Sequence, residues 1–576
     1  MVTAMKAPPR SPLSAVGLVL GLFLASGCTA PWPDLKTCPE EGCPAETDAD
    51  GTSAATTLSS VTIDPNSSGG STSATTGSDT DAIDSATTDA TPAAPPAIES
   101  FSLSTRDALG GDSIVIFKNG PIFVDVEATD AEGVRVQLDD GAVIELREEA
   151  AGVFRGEFPI VSALANGDHV ATLVPHREDY GDGEAAAAPY AVELPPMGDE
   201  LLWDVDQYLG EGWVVDVEVL PSGHILELLT LQDDNNDRTC ALRRRNSQGA
   251  FNPSDDVEIL LNGDRCEAVD LAVRDGQVFV LLTWTDNGGK WWLGHTPEFD
   301  EEKSTILAIA KGEPGETAMA LDLREDGAMA VCGTVPSGFG DSDAFAWVWE
   351  SGKQPTRRVF DYVPEGEDEH SFGETPRDCL FVGENRLVLV GDTDGRHIDD
   401  DDTSYLRRFT LLVKNAGDDG GDAPFVVAGG EGPGNAVQSV ATAATIDNQG
   451  RLLIAGYTCN KQCGDIEGLL WVQSQSGNLD WFAPLSTHQF PERAPSGVRW
   501  HPAGYVVVAN GGTLEDEHAF MLRAFSVNNY QPLWSYSRSD PFQEHFPLAL
   551  TVGPYGEICA GGIGDGLFPV LACVGG

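Results

Sequence analysis

The chain has 576 residues, 41% of them hydrophobic, with 34 Lys+Arg against 91 Asp+Glu and a formal net charge of -57. That length accommodates several domains, and that apolar content supports real cores. So negative a field repels nucleic acid and anionic lipid headgroups, which argues against any polyanion as partner.

Residues 1–27 read as a targeting segment rather than as fold. Lys6 and Arg10 open it, and the apolar run from Leu13 to Ala25 is short for a permanent membrane span. Ala25, Ser26 and Gly27 then lead into Cys28. This resembles the lipobox of bacterial lipoproteins, where signal peptidase II cleaves before a lipid-modified cysteine. Ala25 occupies the place where that family usually carries Leu, and Leu24 stands one place earlier. The resemblance implies removal of residues 1–27, lipidation of Cys28 and attachment to a membrane through that lipid. Thr29, rather than Asp, follows the cysteine, which implies the outer membrane, with its periplasmic face and the cell surface both open.

Eleven cysteines less Cys28 leave ten, an even number suited to disulfides in an oxidising compartment. Proximity in sequence selects three candidate pairs: Cys38 with Cys43, Cys459 with Cys463, and Cys559 with Cys573. No spacing matches a zinc site.

Residues 28–97 form the next segment. No Lys or Arg occurs from Thr37 to Thr105, and Ser, Thr, Ala, Asp, Gly and Pro dominate. Such a stretch buries too little apolar area to offset its conformational entropy, so it is expected to be a disordered tether. Its root-mean-square reach is on the order of 40–50 Å.

Residues 98–196 change character. Short β-rich runs such as PIFVDVEAT, VRVQL and GVFRGEFPI alternate with Gly, Asp and Asn turns, predicting a β-sandwich. The segments ATDAEGVRVQLDDG and ANGDHVATLVPHREDYGDG resemble bacterial immunoglobulin-like domains, modules that serve mostly as spacers.

Residues 198–576 carry a repeat: an apolar strand, a tight turn and a second apolar strand, seven times over. The turns fall at Gly223, Gly276, Gly327, Asn385, Gly450, Gly504 and Gly556. Gly, or the tolerant Asn, takes the positive φ that such turns need. The spacing suits one four-stranded blade per repeat and hence a seven-bladed β-propeller. ELLWDVDQ stands alone before the first repeat, while the seventh ends at Gly576 without an outer strand, so residues 200–207 are expected to close the ring. The repeat resembles those of quinoprotein-like propellers. The predicted class is therefore all-β: tether, immunoglobulin-like sandwich, propeller.

No H-E-x-x-H, G-x-S-x-G or P-loop occurs, so no catalytic residue and no cofactor is assigned. The strongest candidate site is the acidic segment Asp392, Asp394, Asp399, Asp400, Asp401 and Asp402, whose hard oxygen ligands suit Ca²⁺. A second acidic loop comprises Asp233, Asp234, Asn235, Asn236 and Asp237. Trp291 and Trp292, adjacent in a strand, would face opposite sides and offer one platform for a sugar or partner. The leading functional expectation is a lipid-anchored cell-envelope protein whose propeller binds or scaffolds a protein or polysaccharide without catalysis. The alternatives are a propeller enzyme, either a quinoprotein-like dehydrogenase or a hydrolase or lyase, and a structural component of envelope assembly. Perturbed carboxylates, or an Arg/His group, converging on the central channel would favour the enzyme.

Overall fold

The computed structural model describes residues 94–576 apart from intervals of which the longest are 106–113, 247–257, 297–305, 362–372, 394–406, 415–424 and 429–437. The expected leader, Cys28, the tether and the pair Cys38 and Cys43 lie outside the described residues. Among the described residues every regular element is a strand, and there is no helix long and apolar enough to cross a membrane.

The first two sheets share one core. One sheet runs in the order Ala97–Ser104, Gly120–Thr129, Val153–Ile160, Arg147–Ala150. The other is centred on Gly167–Arg177, with Gly133–Gln137 on one side and Ala186–Val192 on the other. Alternating residues point inward, as the period of a strand requires: Ile122, Val124, Phe154 and Phe158 meet Val134, Val136, Leu173 and Tyr190.

Seven four-stranded antiparallel sheets follow. In chain order they span residues 211–261, 266–311, 317–360, 374–428, 438–484, 492–539 and 546–574, and are numbered sheets 1 to 7. Within sheets 1–6 each strand pairs with the next in sequence. Sheet 7 takes its fourth strand from Glu200–Val205, which pairs antiparallel with Phe568–Val574 so that Trp203 lies opposite Ala572. The described turn glycines of the repeat, Gly223, Gly276, Gly327, Gly450, Gly504 and Gly556, all have φ between 74° and 94°, which glycine adopts at no steric cost. Asn385 lies outside the described residues.

The first strand of each sheet lies against the first strand of the next, and Phe546–Val552 of sheet 7 lies against Glu211–Val219 of sheet 1. The contacts therefore run in a cycle, a propeller-like arrangement. The hydrophobic core is divided accordingly. Leu228 and Leu242 of sheet 1 pack with Val278 and Val280 of sheet 2, whereas the intervening Leu229 and Ala241 pack with Leu571 and Cys573 of sheet 7. A strand buried on both faces reads as a near-continuous apolar run. That is why the second strands read ILELLTLQ, QVFVLLTW and LLIAGYTC.

Disulfides reinforce two of these places. Cys240–Cys266 joins sheets 1 and 2, and Cys559–Cys573 joins neighbouring strands of sheet 7. Cys459 is also disulfide-bonded, and Cys463 lies outside the described residues. A buried ion cluster holds the closing strand. Glu227 accepts Nε of both Arg243 and Arg245 at 2.7 Å, while Arg243 also meets Asp206 and Arg245 meets Asp204. Asn119 of the N-terminal two-sheet unit donates to the carbonyl of Gly556 at 3.1 Å, and Tyr555 donates to Glu157 at 3.1 Å.

Candidate functional site

Each first strand shifts register against its neighbour at an equivalent place, between Val214 and Asp216, Ala268 and Asp270, Ala318 and Ala320, Pro376 and Asp378, Ala441 and Ala443, Pro495 and Gly497, and Pro547 and Ala549; the strand of sheet 6 has a further shift between Glu492 and Pro495. A bulge inserts one residue and re-aims the side chains that follow. It therefore defines equivalent positions around the cycle. Immediately after the bulge stand Asp216, Asp270, Ala320, Asp378, Ala443, Gly497 and Ala549. Two residues further on stand Glu218, Ala272, Asp322, Leu380, Thr445, Arg499 and Thr551.

Five carboxyl groups and one guanidinium thus occupy these two layers. Asp216 is buried; Glu218, Asp270, Asp322, Asp378 and Arg499 are half-buried. The acids belong to sheets 1–4 and the cation to sheet 6.

The aspartates make a repeated contact. Asp216 Oδ2 accepts the backbone N–H of Leu271 in sheet 2 at 2.9 Å, and Asp270 Oδ2 accepts that of Leu321 in sheet 3 at 2.6 Å. Asp378 Oδ2 accepts the N–H of Ala444 in sheet 5 at 2.8 Å. Sheet 3 has Ala320 after its bulge, and there the task passes to the second layer: Asp322 Oδ2 accepts Phe381 of sheet 4 at 2.5 Å. Each carboxylate ties its own sheet to the next at the strand nearest the centre. Asp216 and Asp270 use their other oxygen on the N–H of the following residue, at 2.9 and 2.8 Å.

Burial dominates the electrostatics. It pushes Glu218 up to about 7, helped by the charge of Asp216. It pushes Asp322 up to about 7, helped by Asp378. Asp378 rises to about 6, and Asp270 rises well above the ordinary carboxylate range, through burial first and the charge of Asp216 second. Burial opposes the charge on Arg499, yet Asp378, Asp216, Glu218 and Asp270 together hold it protonated. Arg499 donates to the carbonyl of Val498 at 3.1 Å and makes no ion pair among the described residues. Glu218 Oε2 accepts Thr551 Oγ1 of sheet 7 at 3.1 Å.

A second carboxylate group lies where sheets 3 and 4 meet. The ligand oxygens of Asp343, Asp361 and Glu374 all lie within 4.8 Å of one another, close enough to hold a metal ion. Burial, then the charge of Asp341, raises Asp361. Its members are far apart in sequence and match no motif, so spacing could not reveal it.

The loops singled out from sequence fare differently. Asp392 is not a loop residue: it belongs to Arg386–Thr393, is buried, and pairs with Arg377 Nε at 2.8 Å. Asp394 and Asp399 to Asp402 lie outside the described residues. Asp233 satisfies its own loop, accepting the N–H of Asn235 and of Asp237 at 2.8 Å each, and Asp237 pairs with Arg265 at 2.9 Å. Asp234 and Asn236 lie outside the described residues. Trp291 and Trp292 do face opposite sides, but both sides are cores. Trp291 packs with sheet 3 and donates to the buried Glu316 at 2.9 Å, while Trp292 packs with the core shared with sheet 1. Neither offers the exposed platform that adjacency suggested, because every inner sheet face here has a neighbour.

No protein-family model matches the chain, and no curated protein does. Among solved structures it is similar to the polysaccharide lyase Uly1, at 11% identity over 63% of this chain and 90% of that one, with a TM-score of 0.40. It is also similar to an ulvan lyase of a new polysaccharide lyase family, at 9% identity over 65% and 96%, with a TM-score of 0.40. A third is the β-propeller domain of the Trilobed protease from Pyrococcus furiosus, at 9% identity over 64% and 96%, with a TM-score of 0.37. Likenesses at this level say nothing about substrate or activity.

Proposed function

We propose that the seven sheets are the blades of a closed propeller, held by a lipid on Cys28 and a tether over residues 28–97 at the cell envelope, and that this ring binds or scaffolds a protein or polysaccharide without catalysis. The two-sheet unit at residues 98–196 is read as an immunoglobulin-like spacer, seated against the ring through Asn119 and Tyr555. The observation that carries this reading is the use of the central carboxylates. Asp216, Asp270, Asp322 and Asp378 each accept a backbone amide of the following sheet. Groups committed to holding the ring rigid are poorly placed to exchange protons with a substrate, and a rigid ring presents loops from all sheets on one surface.

One observation favours an enzyme instead. Glu218, which is not one of the amide-binding aspartates, has a pKa raised to about 7, where a carboxyl group can serve as general acid or base.

The test uses the full-length chain, first fractionated from cells alongside Cys28→Ala. Release of the variant into the soluble fraction supports the anchor, and retention in the membrane fraction overturns it. The purified protein is then incubated with cell-envelope polysaccharides and envelope protein extract, with and without Ca²⁺. Retention without new chain ends supports binding. Depolymerisation that Glu218→Gln abolishes establishes the catalytic reading. Neither retention nor cleavage overturns both.

A further inference from the structure

Cys332 and Cys379 are thiols in adjacent sheets, 0% and 2% exposed. Cys332 lies in Met329–Pro336 of sheet 3, and Cys379 lies in Glu374–Phe381, the first strand of sheet 4. Both belong to the core between these sheets, among Ala320, Ala330, Leu387 and Leu389. Their backbones converge on one residue. Cys332 is the cross-strand partner of Ala320, and the Cys379 sulfur donates to the Ala320 carbonyl at 3.9 Å. Both cysteines therefore border the same residue from neighbouring sheets. Sulfurs brought together from two sheets are the precondition for a bond that no sequence spacing announces.

A bond between neighbouring sheets has a precedent in this fold, at other strand positions. Cys240–Cys266 joins sheet 1 to the first strand of sheet 2, as a bond between Cys332 and Cys379 would join sheet 3 to the first strand of sheet 4. We propose that Cys332 and Cys379 form a disulfide in the mature protein, a second covalent staple between neighbouring sheets. The proposal rests on the export reading above, because a reducing compartment keeps such pairs as thiols.

Formation is a thiol–disulfide exchange with a disulfide oxidant. One protein thiolate, its proton lost to solvent, attacks a sulfur of the oxidant and expels one oxidant thiolate. The other protein thiolate attacks the protein sulfur of this mixed disulfide and expels the second. Two protein thiols become one disulfide, and the oxidant becomes two thiols. In the closed structure burial, then the neighbouring Cys332, holds the Cys379 thiol well above its ordinary range. Exchange therefore belongs to folding, before sheets 3 and 4 close over the pair.

The test is refolding of the full chain, denatured and reduced, in a mixture of reduced and oxidised glutathione. Alkylation in denaturant and digestion without reductant then allow the cross-links to be mapped by mass spectrometry. The expected result is a Cys332–Cys379 cross-link beside Cys240–Cys266 and Cys559–Cys573. If the latter two form while Cys332 and Cys379 are both alkylated, the proposal is wrong. The same mapping on protein taken directly from cells separates the two readings. Cross-links on refolding, but alkylated cysteines at all three pairs in the cellular protein, would overturn export and occurrence in the mature chain, leaving only the chemical competence of the pair. Cross-links at all three pairs in the cellular protein support both readings.

Discussion

Asp216 in sheet 1 reaches across to accept the backbone N–H of Leu271 in sheet 2 at 2.9 Å, and three more aspartates repeat the gesture around sheets 2, 3 and 4. Antiparallel ladders satisfy backbone groups within a sheet, but the first strand of each sheet is an edge, and an amide pointing outward from it has no ladder partner. A carboxylate from the neighbouring sheet is the acceptor that this amide finds.

Removing one such acceptor should therefore destabilise the fold. Asp378→Ala leaves the Ala444 amide without its partner at the innermost strand. The cost expected is about 1–3 kcal/mol, partly offset by relief of repulsion among the remaining acids. Urea unfolding followed by tryptophan fluorescence measures it. A variant with an unchanged midpoint would show that the contact is idle.

The same acids set a pH dependence. Glu218 and Asp322, raised to about 7, and Asp378, raised to about 6, hold protons in the folded state that the unfolded chain has already released. Stability should consequently rise as pH falls from about 8 to about 6, and be lost again as pH climbs through 7. His501 works in the opposite direction below its ordinary value near 6.5, because burial lowers it to about 4. Unfolding midpoints at pH 6 and pH 8 decide the matter, and Asp322→Asn should reduce the difference between them.

Glu227 is fully buried and serves Arg243 and Arg245 together. Glu227→Ala removes the acceptor that Arg243 and Arg245 share and leaves them to Asp206 and Asp204 alone, which costs on the order of 3–5 kcal/mol. Loss of folded protein, or a midpoint shift of that size, is expected. The effect should be larger than that of Asp378→Ala.

Gly504 sits at φ 90° with nothing close to where a Cβ would stand. Its replacement is limited by backbone conformation alone, so Gly504→Ala should cost about 1 kcal/mol and Gly504→Asn less. Thermal melting of the two variants provides the comparison. An Ala variant as stable as the Asn variant would remove the conformational explanation.

The repeated strand-turn-strand units and their turns were legible in the sequence, because a turn at positive φ admits few residue types. So was the lone strand at residues 200–207, which left one outer strand unmatched at the other end; Glu200–Val205 pairs with Phe568–Val574. The apolar runs declared themselves too, since a strand covered on both faces has no polar side to show. The central carboxylates did not. Asp216, Asp270, Asp322 and Asp378 are single acids in unremarkable strands, and 91 acidic residues hide four. What distinguishes them is a one-residue bulge, which no local pattern encodes, and the amide of a sheet more than 50 residues further along the chain. The acidic segment ending at Asp402 attracted notice through density of charge, yet its first member, Asp392, is a buried strand residue paired with Arg377. Proximity in sequence found Cys559 with Cys573, whose strands are neighbours within one sheet, but it was silent on Cys240 with Cys266 and on Cys332 beside Cys379, which come from different sheets. Periodicity and turn chemistry are local and survive in the sequence by themselves. Which acid meets which amide, and which sulfur meets which, is decided when successive sheets come to lie side by side.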